Sequence, residues 1–276
     1  PEKTIVREDI DRNFRKYYDI HPHDSAVPLH SDRSERTLKV VHLCAQDVGG
    51  AGNAAYRLHK GLQMSGVHST LLVVNKQTED PSVKVAYTPG ALSGIKDRWN
   101  TILAGYPHRP EGLEFFSDTA SDIRLDLVRE IQSAHIVHLH WAAGMIDYPR
   151  MPGELKKKTV VWTLHDMNPF TGGCHYVGDC RKYRRTCGAC PQLGSVADED
   201  LSRNIWNEKS CAFQGLNINI VTPSRWMGEC ARESRLFSGL PVSVIPYGFP
   251  LDVFKPYPEA AARRSLGIAD SARVIL

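Results

Sequence analysis

Across 276 residues no apolar run approaches the roughly 20 residues that a membrane-spanning helix needs. The opening stretch, PEKTIVREDIDRNFRKYYD, is polar and mixed in charge, so no secretory signal is expected there. No internal repeat and no low-complexity tract occurs, which sets aside solenoid and fibrous architectures. A dense basic stripe is also lacking: 34 Lys and Arg stand against 31 Asp and Glu, a formal charge of only +3. Nucleic acid is therefore not an expected partner, while contact with a phosphate or an anionic lipid surface stays open. With no export signal the reducing cytosol is the expected compartment, either free or peripheral at the inner face of the membrane.

What is present is ordinary globular composition, 42% hydrophobic and 24% charged, enough for one large domain or two small ones. Residues 1–37 read as a charged amino-terminal arm with one helix over 8–18, then a linker. The start at Pro1 and the close in ARVIL suggest a piece of a longer chain. From Leu38 onward, short apolar β-rich runs alternate with helical patterns. The strands are expected at Leu38–Cys44, Ser69–Val74, Val83–Tyr87, Ile136–Trp141, Thr159–Leu164, Leu216–Thr222 and Pro241–Ile245. Helices are expected at Gly52–Met64, with Ala54, Ala55, Leu58 and Leu62 on one face, and at Leu92–Leu103, Ser121–Ala134, Ile146–Lys157, Asp198–Phe213, Pro223–Ser234 and Glu259–Leu266. Such alternation predicts an α/β fold, a Rossmann-like doubly wound parallel sheet, over 38–255, with 256–276 as a linker leading into a further domain. The segment GYPHRPEGLEFF reads as a surface excursion first and as a flap touching substrate or membrane second, and residues 89–120 are expected to help set the acceptor.

The chain is organised around Thr159–Leu193. Its strand, taken as the central one, ends at His165 and Asp166, where open α/β sheets place their ligands. A histidine hydrogen-bonded in the core is the plain alternative for His165. His138 and His140 alternate with Val137 and Leu139 and so share a face. Trp141 follows at the same sheet edge, where an indole suits sugar stacking as well as core packing. Glycines in GGAGNAA, Gly49, Gly50 and Gly52, permit close backbone approach at a helix amino end, which favours a phosphate or sugar. A nicotinamide cofactor is disfavoured. The Cys44–Gly50 connection reads as too long for the usual tight turn. The second strand ends in Asn75-Lys76, with no acid for a ribose.

Of seven cysteines, four cluster as Cys174-x5-Cys180-x6-Cys187-x2-Cys190. Four soft donors in one compact loop fit a structural, closed zinc site, with His175 as a spare ligand; two disulfides or reduced thiols are the alternatives. A catalytic metal is not expected, since four thiolates leave no open position. Arg181, Lys182, Arg184 and Arg185 make the loop basic. Cys44, Cys211 and Cys230 read as core thiols.

Four segments then occur in order: LKVVHLCAQDVGGAGNAAYRLHKGL, HIVHLHW, VVWTLHDMNPFTGGCHYVGDC and VTPSRW…VSVIPYGFPLDVFKP. Together they resemble the amino-terminal, acceptor-side half of a retaining glycosyltransferase of family 4, with GT-B architecture, of the subgroup that builds bacterial exopolysaccharide and lipopolysaccharide. The resemblance implies transfer from a nucleotide-sugar donor to a glycan or lipid-linked acceptor. It implies that Gly49, Gly50 and Asn53 approach donor or acceptor, that His165 lies against the transferred sugar, and that Trp141 and Asp166 contact the acceptor. The family's E-x7-E acids and diphosphate-binding bases belong to a second domain beyond these residues, so little transfer is expected without it. In PYGFPLDVF, Tyr247 replaces the usual asparagine and Pro250 displaces the acid to Asp252. A zinc-stapled module that binds glycan or protein without chemistry is the alternative function.

Overall fold

Leu43, Val73, Val137 and Val160 come from four separate apolar runs, and all four are sealed from solvent. Runs of this kind, apolar on both sides, are what a parallel sheet covered on both faces requires. The computed structural model describes residues 37–86, 91–113, 115–251 and 253–275. Seven strands are present among them: β1 (Lys39–Gln46), β2 (His68–Asn75), β3 (Val83–Val85), β4 (Ile136–Leu139), β5 (Thr159–Thr163), β6 (Asn217–Thr222) and β7 (Val242–Val244). All pair in parallel, in the order β3-β2-β1-β4-β5-β6-β7. The helices are α1 (Gly49–Met64), α2 (Ala91–Leu103), α3 (Arg129–Ser133), α4 (Met151–Leu155), α5 (Leu201–Ala212), α6 (Arg225–Glu233) and α7 (Glu259–Ser265). The expected Rossmann-like α/β sheet is what the chain forms.

The strand order matters more than the strand count. From β1 the chain winds outward to β2 and β3, then returns to lay β4 on the other side of β1. The winding direction therefore reverses between β1 and β4. A crevice opens there outside the carboxyl ends of the strands. The strand expected to be central, ending at His165, is one place off centre: β4 occupies the middle.

Several boundaries also differ from expectation. Helix α1 starts at Gly49 rather than Gly52, so only Asp47 and Val48 separate it from β1. The long connection inferred from the glycines is in fact tight, which removes one of the two objections to a dinucleotide. The other objection stands, since β2 ends at Asn75. The buried face of α1 is Gly52, Ala55 and His59, whereas Leu58 is 39% exposed. Gly52 is the glycine that packing demands, because a Cβ there would sit 2.7 Å from the Gln46 carbonyl oxygen. The helix expected over Ser121–Ala134 shrinks to α3 and a short 3-10 turn. There Ser121 Oγ instead accepts the Ile123 N–H, and Ile123, Leu125 and Ile131 are buried from an irregular backbone. Cys211 is exposed, unlike Cys44 and Cys230, because Ala212 takes the buried position of α5.

The excursion over 105–116 is tied down. Phe116 is buried and bridges Cys174, and the Tyr106 hydroxyl accepts the Leu201 N–H. The chain falls into two units, one running to Pro246 and the other from Tyr247 to Leu276. The second carries α7, ended by Gly267 at a φ of +68°. The arm expected over 1–37 and its helix over 8–18 lie outside the described residues but for Thr37, as do Tyr87 and Asp252. No helix among the described residues is long and apolar enough to cross a membrane.

Candidate functional site

The crevice at the reversal point is a cleft of about 340 Å³. Gln46 at the end of β1, Trp141 just past β4 and His165 just past β5 reach it from three adjacent strands. The first turn of α1 contributes Ala51 and Gly52. Asp166 lies beside His165, and Trp99, Phe115 and Tyr176 complete an aromatic wall with Lys96 at its margin. His165, Trp141 and Asp166, all named from sequence, therefore meet in one cleft. Gly49, Gly50 and Asn53 do not line it: they are exposed on the first turn of α1, and their neighbours Ala51 and Gly52 face the cleft instead.

Asp166 holds the floor together. Its Oδ2 accepts the Trp141 indole N–H at 2.7 Å and His175 Nδ1–H at 2.6 Å, while Oδ1 accepts the Asn168 N–H at 3.0 Å. The far nitrogen of His175 bonds Ser117 Oγ at 2.7 Å. With both nitrogens engaged, His175 is not the spare metal ligand its position beside Cys174 suggests. It is a strut that fixes Asp166, and through it the plane of the Trp141 indole.

His165 is half-buried, and burial pushes its pKa down to about 4, with Asp166 pulling weakly the other way. A ring held neutral at pH 7 presents one N–H and one lone pair, a group suited to hydrogen-bonding a hydroxyl. Behind it lie further imidazoles. His140 Nδ1 is 3.1 Å from His165 Nε2, and His42 Nδ1 is 3.0 Å from His140 Nε2. His138 stacks on His140 with centroids 4.3 Å apart, and its Nε2 bonds Thr163 Oγ1. Burial pushes His138 down to about 3 and His42 and His140 well below the ordinary range. The shared face of His138 and His140 was legible in the alternating sequence. The part played by His42 was not, because it depends on β1 pairing with β4.

Cys174, Cys180, Cys187 and Cys190 line one small cavity of about 20 Å³ in the loop after β5. All seven cysteines are free thiols, so the two-disulfide alternative is not what the fold adopts. Burial pushes the Cys174 thiol up to about 12 and Cys187 up to about 11, which makes them poor nucleophiles. The donor set nonetheless fits zinc. Backbone N–H groups of Gln192 and Leu193 point at the Cys190 sulfur and that of Gly172 at Cys187, favouring thiolates. Fully enclosed Lys209 lies close enough to Cys174 and Cys187 to feel their charge. Its Nζ rests on the Asn168 and Thr171 carbonyl oxygens, which leaves its positive charge to offset a four-thiolate site. No three of the four sulfurs lie within 4.8 Å of one another, wider than the ~3.8 Å edges of a tetrahedral zinc site. Among the described residues, the one group of three or more ligand atoms within 4.8 Å of one another is His42, His138 and His140.

Part of the loop's basic character is spent internally. Lys182 Nζ donates to the Gly188 and Ala189 carbonyls, and Arg184 pairs with Glu233. Sequence reasoning did not single out Lys96, Trp99, Phe115 or Tyr176; the first three reach the cleft from the 89–120 region and Tyr176 from the loop after β5. Neither the family models nor the curated proteins against which the chain was compared contain a match to it.

Proposed function

We propose that this chain is the acceptor-side domain of a retaining glycosyltransferase. It would pass a sugar from a nucleotide-sugar donor to a glycan or lipid-linked acceptor of a bacterial surface polysaccharide. The observation that carries the reading is the cleft at the β1/β4 reversal, where a neutral imidazole, an indole anchored edge-on by a carboxylate, and a close-packed helix amino end converge. Aromatic faces stack on the C–H faces of sugars, and a neutral imidazole hydrogen-bonds their hydroxyls without demanding a charge. The same strand order also serves dinucleotides, but the absence of an acid at the end of β2 favours the sugar.

In this reading His165 orients the donor sugar over the acceptor hydroxyl, and Trp141 holds the acceptor ring. The leaving diphosphate is stabilised electrostatically by groups of a companion domain. Zinc in the four-cysteine loop is structural: Cys174, Cys180, Cys187 and Cys190 would hold it and the loop would then brace Asp166 through His175. No chemical step is assigned to a metal. Basic Arg181 and Arg185 suit an anionic lipid surface, which would bring a lipid-linked acceptor to the cleft.

The test is tryptophan fluorescence of the chain titrated with a panel of neutral and uronic-acid oligosaccharides. At least one is expected to change the emission, with binding about 10-fold or more weaker in Trp141→Ala, equivalent to about 1.4 kcal/mol. Equal affinity in both proteins would remove Trp141 from the acceptor site, and no response to any member of the panel would count against the reading as a whole.

A further inference from the structure

Among the described residues that line the cleft, Asp166 and Lys96 carry charge, and they are in opposite states. Asp166 is buried, and its two oxygens already accept N–H groups from Trp141, His175 and Asn168. Lys96 is exposed at the rim. Its ammonium lies 5.9 Å from the centre of the Phe115 ring, and it makes no hydrogen bond or ion pair with another described residue. The negative charge of the cleft is thus engaged by the protein itself, while the positive charge is left for whatever enters.

A lysine on a loose segment would contribute little, because holding it against a partner costs side-chain freedom. The segment that carries Lys96 is fastened on both sides of it. One residue before, Ile95 of α2 is buried against Gly144 in the turn after β4, where a Cβ would sit 2.6 Å from the Ile95 side chain. Two residues after, Arg98 forms a forked pair with Asp118, Nε to Oδ2 at 2.8 Å and Nη2 to Oδ1 at 3.1 Å, and also donates to the Ala120 carbonyl at 2.6 Å. Trp99 donates its indole N–H to the same carboxylate at 2.9 Å. The Phe115 ring in turn meets His175, the strut of Asp166, edge-on at 6.5 Å. Lys96 and Phe115 are therefore held at the rim by the same framework that orients Trp141.

We infer that Lys96 selects an acceptor that carries an oxyanion, the carboxylate of a uronic acid or a phosphate ester, beside the sugar stacked on Trp141. That the ligand is a sugar rests on the function proposed above; that it is anionic rests on the charges of the cleft. A neutral glycan would leave the ammonium with water alone. A cationic amino sugar would meet the repulsion of Lys96 and a carboxylate already engaged at both oxygens.

The experiment titrates the full chain, by tryptophan fluorescence, with matched sets built on gluco-, galacto- and manno-oligosaccharides. Each set holds the neutral parent, the same chain with one sugar oxidised to its uronate, and the same chain with a 6-phosphate. The wild type is expected to bind an anionic member about 5-fold or more tighter than its neutral parent, the scale of one exposed ion pair. That ratio should shrink between about 50 and about 500 mM salt, as screening requires. In Lys96→Gln the ratio is expected to fall to about 1, and Lys96→Arg, which restores the charge, should bring it back. Of uronate and phosphate, the one with the larger ratio names the group on the acceptor. A ratio near 1 in the wild type would overturn the inference, as would a high ratio that survives in Lys96→Gln. In both cases the saccharides still bind, so the transferase reading stands. Silence from every set would remove that reading, and this inference with it.

Discussion

Replacing Cys187 and Cys190 together with serine is expected to strip the protein of zinc and to lower its melting midpoint by about 10 °C or more. The size of the effect follows from where the loop sits. Its cavity is walled by all four cysteines, and the same loop carries His175, the strut of Asp166. Lys209 adds to it. With thiolates on zinc, a sealed ammonium gains a close counter-charge; with neutral thiols it has carbonyl oxygens, the Tyr148 ring at 5.2 Å and the weaker pull of Asp166, and burial pushes its pKa down to about 8. Removing the metal should therefore cost stability twice, through the loop and through Lys209. Metal analysis of protein purified without added zinc, beside calorimetry of both forms, is the check. One zinc per wild-type chain and almost none in the double variant is expected. Equal metal content in the two, or an unchanged melting midpoint, would remove zinc from the account.

The second large effect is acid unfolding. His42, His138 and His140 are buried together and neutral, their pKa values pushed down by burial first, and next by His138 for His42 and His140 and by His165 for His138. In the unfolded chain each returns to ~6.5. The unfolded state then binds more protons than the folded one below that pH, so stability is whole above about pH 6.5 and falls as the pH drops. For three rings the loss is about 4 kcal/mol at pH 5.5, a large part of the ~5–15 kcal/mol that holds a typical domain together. His59, pushed down to about 4, and half-buried His165 add to it. Denaturant unfolding between pH 7 and pH 5 should show this fall, with about three protons taken up on unfolding. A stability that stays flat over that range would mean the rings are already charged or hydrated in the fold.

Much of the architecture was readable from the chain because apolar runs and turn residues report on their own neighbourhoods. The seven strands appeared within a residue or two. What failed were inferences that treated a residue's local role as its only role. Gly49 and Gly50 read as a loop, yet the helix begins there, three residues sooner than Gly52, and Gly52 lets α1 press onto the Gln46 carbonyl. His175 read as a ligand because Cys174 precedes it, while its true partners, Ser117 and Asp166, lie 58 and 9 residues away. His165, Trp141 and Asp166 were legible since each sits just past a strand end. The row behind His165 was not, because it requires His42 and His138 to be paired across β1 and β4, and strand order is a property of the whole fold.

The account stands on sugar transfer at His165, and the direct measurement is incorporation of labelled sugar from UDP- and GDP-linked donors into polysaccharide acceptor. It would use a polypeptide that joins these residues to a nucleotide-sugar-binding domain. Transfer is expected with the wild-type sequence and should fall about 100-fold in His165→Ala, on the scale of losing one oriented hydrogen-bonding group in a water-poor site. Undiminished transfer by the His165→Ala protein would contradict it.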